Sequence, residues 1–148
     1  MILDERNEFC DATALNTGGA ASYLIGDVID LEAAGINLGV SADLYVFINV
    51  DTTATSGGSA TGQFHLCSDA QAAIAVDGSA SYHFSTAAIA VATLVAGYQI
   101  ACFKIPAGTY ERYLGIVQTT AVAAFTAGKV NAFLTSEVDA WKAYPDAL

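Results

Sequence analysis

The side chains best equipped for chemistry in this chain are two histidines, His65 and His83, three cysteines, Cys10, Cys67 and Cys102, and fifteen acidic residues. A metal centre would need histidines at ligand spacing with a carboxylate, and neither H-x-H nor H-x-x-H occurs. His65 stands between Phe64 and Leu66, and His83 between Tyr82 and Phe84. Each reads as a sheet residue on the less buried face. Nucleophilic catalysis lacks its parts too, since there is no G-x-S-x-G elbow and no cysteine beside a histidine. The cysteines are odd in number, far apart and free of C-x-x-C spacing, which predicts reduced thiols packed as small hydrophobes. Asp43, Asp51, Asp69 and Asp77 fall at strand ends, where carboxylates cap turns, and no run has the EF-hand calcium spacing. These patterns predict no enzyme, no metal and no cofactor.

Arg112 is the one charge that stands apart, between Tyr110-Glu111 and Tyr113-Leu114 at the start of a strand. It either pairs with Glu111 or a loop carboxylate, or it hydrogen-bonds backbone carbonyls and organises the loop after Pro106. Five basic residues face fifteen acidic ones, for a net charge of -10 and an isoelectric point near 4.1. That field repels phosphate backbones and no Lys/Arg cluster opposes it, so nucleic acid is not the expected partner. Hydrophobic residues make up 54% and mean hydropathy is +0.46, but alanine supplies much of this. The roughly 18 to 20 consecutive apolar residues of a spanning helix occur nowhere, and no membrane is expected as a partner. The opening MILDERNEFCD has no basic segment ahead of an apolar core, so no signal peptide is expected.

The elements that position these groups read as short strands. Residues 98–105 and 112–118 are apolar runs separated by Pro106-Ala107-Gly108-Thr109, predicting two strands of a hairpin with Tyr98, Ile100, Ile105, Leu114 and Ile116 in the core. In 44–50, Leu44, Val46, Ile48 and Val50 alternate with Tyr45, Phe47 and Asn49, so the first set faces a core and the second is half-covered. DTTATSGGSATG over 51–62 reads as a mobile connection, closed by a strand over 63–68 to complete a hairpin. Gly26 inside SYLIGDVIDL marks a bulge or bend. Residues 70–76 fit a short helix or a strand, Asp77-Gly78 a turn, 79–84 a strand, and Ala127-Gly128-Lys129 a turn before a last strand over 130–136. The sum is a single all-β domain over 1–148, a jelly-roll-like antiparallel β-sandwich with a short amino-terminal arm (1–20) and a tail (137–148).

Three segments, MILDERNEFCDA, ATLVAGYQIACFKIPAGTYERYLGI and FTAGKVNAFL, resemble those of the tailed-bacteriophage capsid cement (decoration) proteins of the Bordetella-phage type. The resemblance spans both ends and the middle of the chain, with 51–92 the least distinctive part. It implies a jelly roll on the exterior of an icosahedral head, made in the host bacterial cytoplasm, bridging major capsid protein subunits and reinforcing the shell. Under it, Ile2, Leu3, Phe9, Tyr110, Arg112 and Trp141 are the expected partner contacts, and the acidic charge suits docking onto basic capsid patches. A self-associated form is expected as well, a dimer across a capsid two-fold ahead of a trimer. The other reading is a carbohydrate- or receptor-binding sandwich on a virion, with Tyr45, Tyr82, Tyr110 or Trp141 as stacking platforms.

Overall fold

A computed structural model of the chain describes residues 4–40 and 43–138. A 3-10 turn, Glu5–Asn7, leads into β1 (Glu8–Ala14), β2 (Ala21–Asp30), β3 (Tyr45–Ser56), β4 (Thr61–Asp69), β5 (Ser81–Ser85) and the two-residue β6 (Ile89–Ala90). After a second 3-10 turn, Val91–Thr93, come β7 (Gln99–Lys104), β8 (Tyr113–Ala121) and β9 (Phe125–Thr135). Two antiparallel sheets result, ordered β1-β9-β3-β7 and β2-β8-β4-β5, with β6 beside β4.

The pairings nest. β4 pairs with β5, β3 with β7, β2 with β8 and β1 with β9, as in one long ribbon folded at the β4–β5 connection and wound into two layers. This winding is a jelly roll, the expected architecture. It explains why strands adjacent in sequence are seldom neighbours, because only β4, β5 and β6 follow one another within a sheet.

Two expected hairpins are therefore corrected. Residues 99–104 and 113–121 lie in different sheets, as do β3 and β4, so each connection crosses between layers. The supposed mobile loop over 51–62 is mostly strand. β3 runs to Ser56 and β4 starts at Thr61, because the β-branched Thr52, Thr53 and Thr55 continue the pleat beside β9. The turn expected at 127–129 is also strand, with Gly128 at φ +134° where the β3–β9 register slips. Over 70–76 there is neither helix nor strand; the segment folds back over the second sheet.

The core lies between the layers. Val46, Ile48 and Val50 of β3 meet Phe64 and Leu66 of β4 and Leu114 and Ile116 of β8, all nearly inaccessible, while Tyr98 and Ile100 pack at its margin. On the outer side of β3, Phe47 stacks on Phe133 at 5.3 Å and both are buried, while Tyr45 and Asn49 are partly exposed, so the second set of the alternation is half-covered as expected. Both flanks are laced. Phe84 of β5 stacks on Phe103 of β7 at 3.6 Å, and at the opposite flank β1 lies against β2 at Gly26.

The expected arm narrows accordingly. Residues 8–14 form the outermost strand of the first sheet, and Phe9 and Cys10 are core residues. No helix of the described residues is long and apolar enough to cross a membrane.

Candidate functional site

Among the six expected contacts, Ile2, Leu3 and Trp141 lie outside the described residues. Two others need correction. Phe9 is 1% exposed, because β1 pairs with β9 and turns this ring inward. Tyr110 is 0% exposed: its hydroxyl donates to the Pro106 carbonyl at 2.6 Å, bracing its own connection, and burial pushes the phenol up to about 12. Neither ring is available to a partner.

Arg112 remains accessible. Its Nε and Nη2 donate to the two carboxylate oxygens of Asp30, each at 2.8 Å, and the guanidinium lies 5.1 Å from the Tyr113 ring centre. The fork holds the Asp30 carboxyl down to about 2 and raises the Arg112 pKa in turn. Of the two roles foreseen for Arg112, pairing with a carboxylate is the one observed, and its fork joins the end of β2 to the start of β8. The 105–112 connection is held mainly by backbone bonds to 31–44. Ile105 N–H donates to Leu44 O, Tyr110 N–H to Ile36 O, Gly35 N–H to Tyr110 O and Leu31 N–H to Arg112 O.

The histidines sit in separate clusters without a carboxylate ligand. His65, on the outer face of β4, is 7% exposed, with Nδ1 2.6 Å from Ser85 Oγ and Nε2 3.0 Å from Thr119 Oγ1, which in turn lies 2.8 Å from Ser22 Oγ. His83 occupies a bulge. Leu66 faces Phe84 and Cys67 faces Tyr82, so β5 has one residue more than β4 here, and the extra residue is turned onto Tyr110 (ring centres 3.9 Å) and Ser68 (Nε2 to Oγ 2.7 Å). Ser68 Oγ also accepts the Glu111 N–H at 3.1 Å, while the Glu111 carboxylate accepts from Ser81. Desolvation lowers the pKa of both imidazoles. Ser68 and His83 thus share a hydrogen bond, but Ser68 is 0% exposed and the nearby carboxylate is engaged elsewhere. Without an acid partner for the imidazole or access to the hydroxyl, this pair works as a brace.

Of the four carboxylates expected at strand ends, Asp69 ends β4 and Asp43 stands just before β3, but Asp51 lies inside β3, because that strand continues to Ser56, and Asp77 lies within the 70–80 connection. Asp69 accepts the Gln71 and Ala75 N–H groups, Asp77 accepts from Ser79, and Asp43 pairs with Lys104 at 2.8 Å. Asp51 accepts from its neighbour Thr52. Among the described residues no three His, Cys, Asp or Glu side chains are grouped to hold a metal. Cys10 and Cys67 are buried, with burial raising each thiol to about 12, and Cys102 is partly buried.

What the local reading missed is the division of the molecule into two unlike ends. The jelly roll gathers 15–20, 57–60, 86–98 and 122–124 at one end, and 31–44, 70–80 and 105–112 at the other with residues 4–7. No residue of the first four connections is charged. The second end carries Asp4, Glu5, Arg6, Glu32, Asp43, Asp77, Glu111 and Arg112. Beside it, Glu5, Glu8, Asp11 and Asp27 line an open groove of about 320 Å³, where burial and then Asp11 and Glu5 raise the Glu8 carboxyl. The signal was present in the sequence as charge-free stretches over 12–26, 52–68, 78–103 and 113–128. It had no meaning until the winding showed that their loops converge.

The model of one protein family, Bbp16, matches residues 9–134, from the second residue of β1 to the penultimate residue of β9. No curated protein matches the sequence. With all but the first and last residues of the jelly roll inside the matched stretch, the chain belongs to the Bbp16 family, a family of Bordetella phage proteins.

Proposed function

We propose that this chain is a capsid cement (decoration) protein, which binds the outside of an icosahedral phage head, bridges major capsid protein subunits and stabilises the shell. The observation that carries this reading is the match to a phage family over nearly the whole sandwich, in a molecule whose Ser68, His83, Glu111 and Arg112 side chains bond within the fold. On this reading it is not an enzyme and needs no cofactor. Its activity is adhesion by a rigid body, multiplied over many copies on one shell. Its partners are the major capsid protein and, as a dimer ahead of a trimer, itself; its place is the capsid exterior of the virion. The test is direct. Heads of the phage that encodes the chain, prepared without it, should take up the purified protein and resist heat or osmotic shock better. Failure to bind, together with absence from virions by mass spectrometry, would overturn the reading.

One observation favours a second reading, a glycan- or receptor-binding module. Tyr82 is 40% exposed and meets the His65 ring edge-on at 5.1 Å, beside the hydroxyls of Ser85, Thr119 and Ser22. A ring next to hydroxyls is suited to a sugar. Binding on a glycan array that Tyr82→Ala abolishes would establish it, and an array without hits would remove it.

A further inference from the structure

Val122 is the most exposed large apolar residue of the described chain, at 75%, and it has a φ of +70°. A β-branched residue in the left-handed region is strained, and glycine or asparagine would fit this turn better. Strain of this kind at a surface position, where three-quarters of the residue is exposed, points to a use for the side chain.

Val122 crowns the charge-free end. Around it stand the exposed Ala20, Ala21, Gly57, Gly58, Ala92 and Val95, the last 47% exposed. Three of the four connections, 57–60, 86–98 and 122–124, are tied to one another and to the end of β3. Ser56 Oγ donates to Ala124 O at 2.7 Å, Val91 N–H to Ala60 O at 2.9 Å, Ala54 N–H to Leu94 O at 2.8 Å and Ala96 N–H to Thr53 Oγ1 at 2.9 Å. Such a surface is ordered before it binds anything, which removes much of the entropic cost of docking.

We infer that this end is the face seated on the phage shell, against an uncharged patch of protein surface, with the acidic end turned to solvent. The inference rests on the cement reading and deepens it. Charge decides the orientation. Interface centres are depleted of charged side chains because a charge buried without a partner is costly, and here a chain of net charge -10 keeps one whole end free of them. The same lack of charge makes the partner's patch uncharged, since a Lys or carboxylate placed against it would find no counter-ion. The other occupants fit poorly. No exposed ring at this end stacks on a sugar, no Lys or Arg meets a phosphate or lipid headgroup, and the valines are too short to anchor in a bilayer. The alternative orientation, acidic end on basic capsid patches, is the one that the net charge suggests when its distribution is ignored, and its affinity would fall with salt where that of the uncharged contact stays level.

The experiment uses heads of the encoding phage prepared without this chain, with wild type, Val122→Asp, Val95→Asp and Glu32→Lys as ligands. Aspartate tolerates left-handed φ better than valine, so Val122→Asp should fold with an unchanged or higher melting temperature. It should nevertheless bind heads at least about tenfold more weakly, the loss expected when a carboxylate is forced into a desolvated contact. Val95→Asp should weaken binding in the same direction, and Glu32→Lys, at the acidic end, should bind as wild type does. Wild-type affinity should change less than about twofold between about 0.05 and 0.5 M NaCl, because no ion pairs are screened. Wild-type binding by Val122→Asp and Val95→Asp, or affinity that collapses with salt, overturns the orientation and leaves the cement reading standing. Dissociation of a free dimer by Val122→Asp in sedimentation, with head binding retained, makes this end a self-interface and also overturns it. If wild type does not bind the heads at all, the cement reading itself falls.

Discussion

His83 owes its place to one extra residue in β5, and that residue makes the sandwich sensitive to protons. With the ring neutral and protonated on Nδ1, its Nε2 accepts the Ser68 hydroxyl, whose oxygen already accepts the Glu111 N–H, so both polar groups of Ser68 are satisfied. A protonated ring donates at Nε2 and leaves the Ser68 O–H without an acceptor. The groups facing it are Tyr110, Ser68 and Glu111, and only the Glu111 charge favours the imidazolium. His65 meets Ser85, Thr119 and Tyr82, none of them charged at neutral pH. Burial lowers both pKa values from the ordinary 6.5, so the unfolded chain takes up protons first as the medium is acidified. The histidine contribution is therefore complete above 6.5 and is lost as pH falls below it. Urea unfolding at about pH 7.5, 6.5 and 5.5 should show stability declining toward acid, by at most about 1.4 kcal/mol per pH unit for each proton involved. His83→Gln retains an acceptor for Ser68 but does not titrate, so it should flatten the slope, and adding His65→Gln should nearly abolish it. An unchanged slope in the double variant would assign the acid sensitivity elsewhere.

Gly26 shows how one position decides whether two strands can meet. It lies in β2 at φ +68°, within the register shift between Ile25 and Ile29, and a Cβ there would fall on the Phe9 carbonyl oxygen of β1. Backbone cannot yield as a flexible side chain would. Gly26→Ala should thus cost about 3 kcal/mol or more, left-handed strain plus separation of β1 from β2, measured as a drop in the denaturation midpoint. Loss of less than about 1 kcal/mol would mean that β1 can shift freely along this flank. This glycine was legible in the sequence as an interruption of β-forming residues, as were the β3 alternation and the all-β class. Sheet assignment was not. Residues 99–104 and 113–121 look like a hairpin because a proline–glycine loop joins two apolar runs, but each run is apolar on both sides for its own reason. β7 lends Phe103 to the flank opposite Phe84, and β8 is central, with Val117 and Gly115 under the 70–80 segment. Nothing local distinguishes those environments. Likewise Tyr110 looked like a surface anchor because tyrosine at a loop end often is one; its burial depends on the 31–44 connection, more than sixty residues away in sequence.

At the scale of the whole molecule, charge is the term most unevenly distributed, and it ties stability to orientation. Glu5, Glu8, Asp11, Asp27, Asp30 and Glu32 line adjoining grooves where β1 and β2 run side by side, with Arg6 the cation among them. The raised Glu8 carboxyl records part of that repulsion. The two described ion pairs, Arg112 with Asp30 and Lys104 with Asp43, are exposed and so contribute little in water. Salt screens both kinds of interaction, and with fifteen acidic residues against five basic ones the repulsion is the larger quantity. The melting temperature should therefore rise by roughly 2 to 5 °C between about 0.02 and 0.5 M NaCl, equivalent to about 1 kcal/mol for a domain of this size. Asp27→Asn should yield part of that gain at low salt, since it removes one charge from the centre of the groove. A melting temperature that falls with salt would show the ion pairs to dominate instead. Head affinity should stay level over the same range of salt that raises the melting temperature. Both responses together require the crowded charge to lie away from the docking face, so the two titrations on one preparation test the placement of charge and the placement of the contact independently.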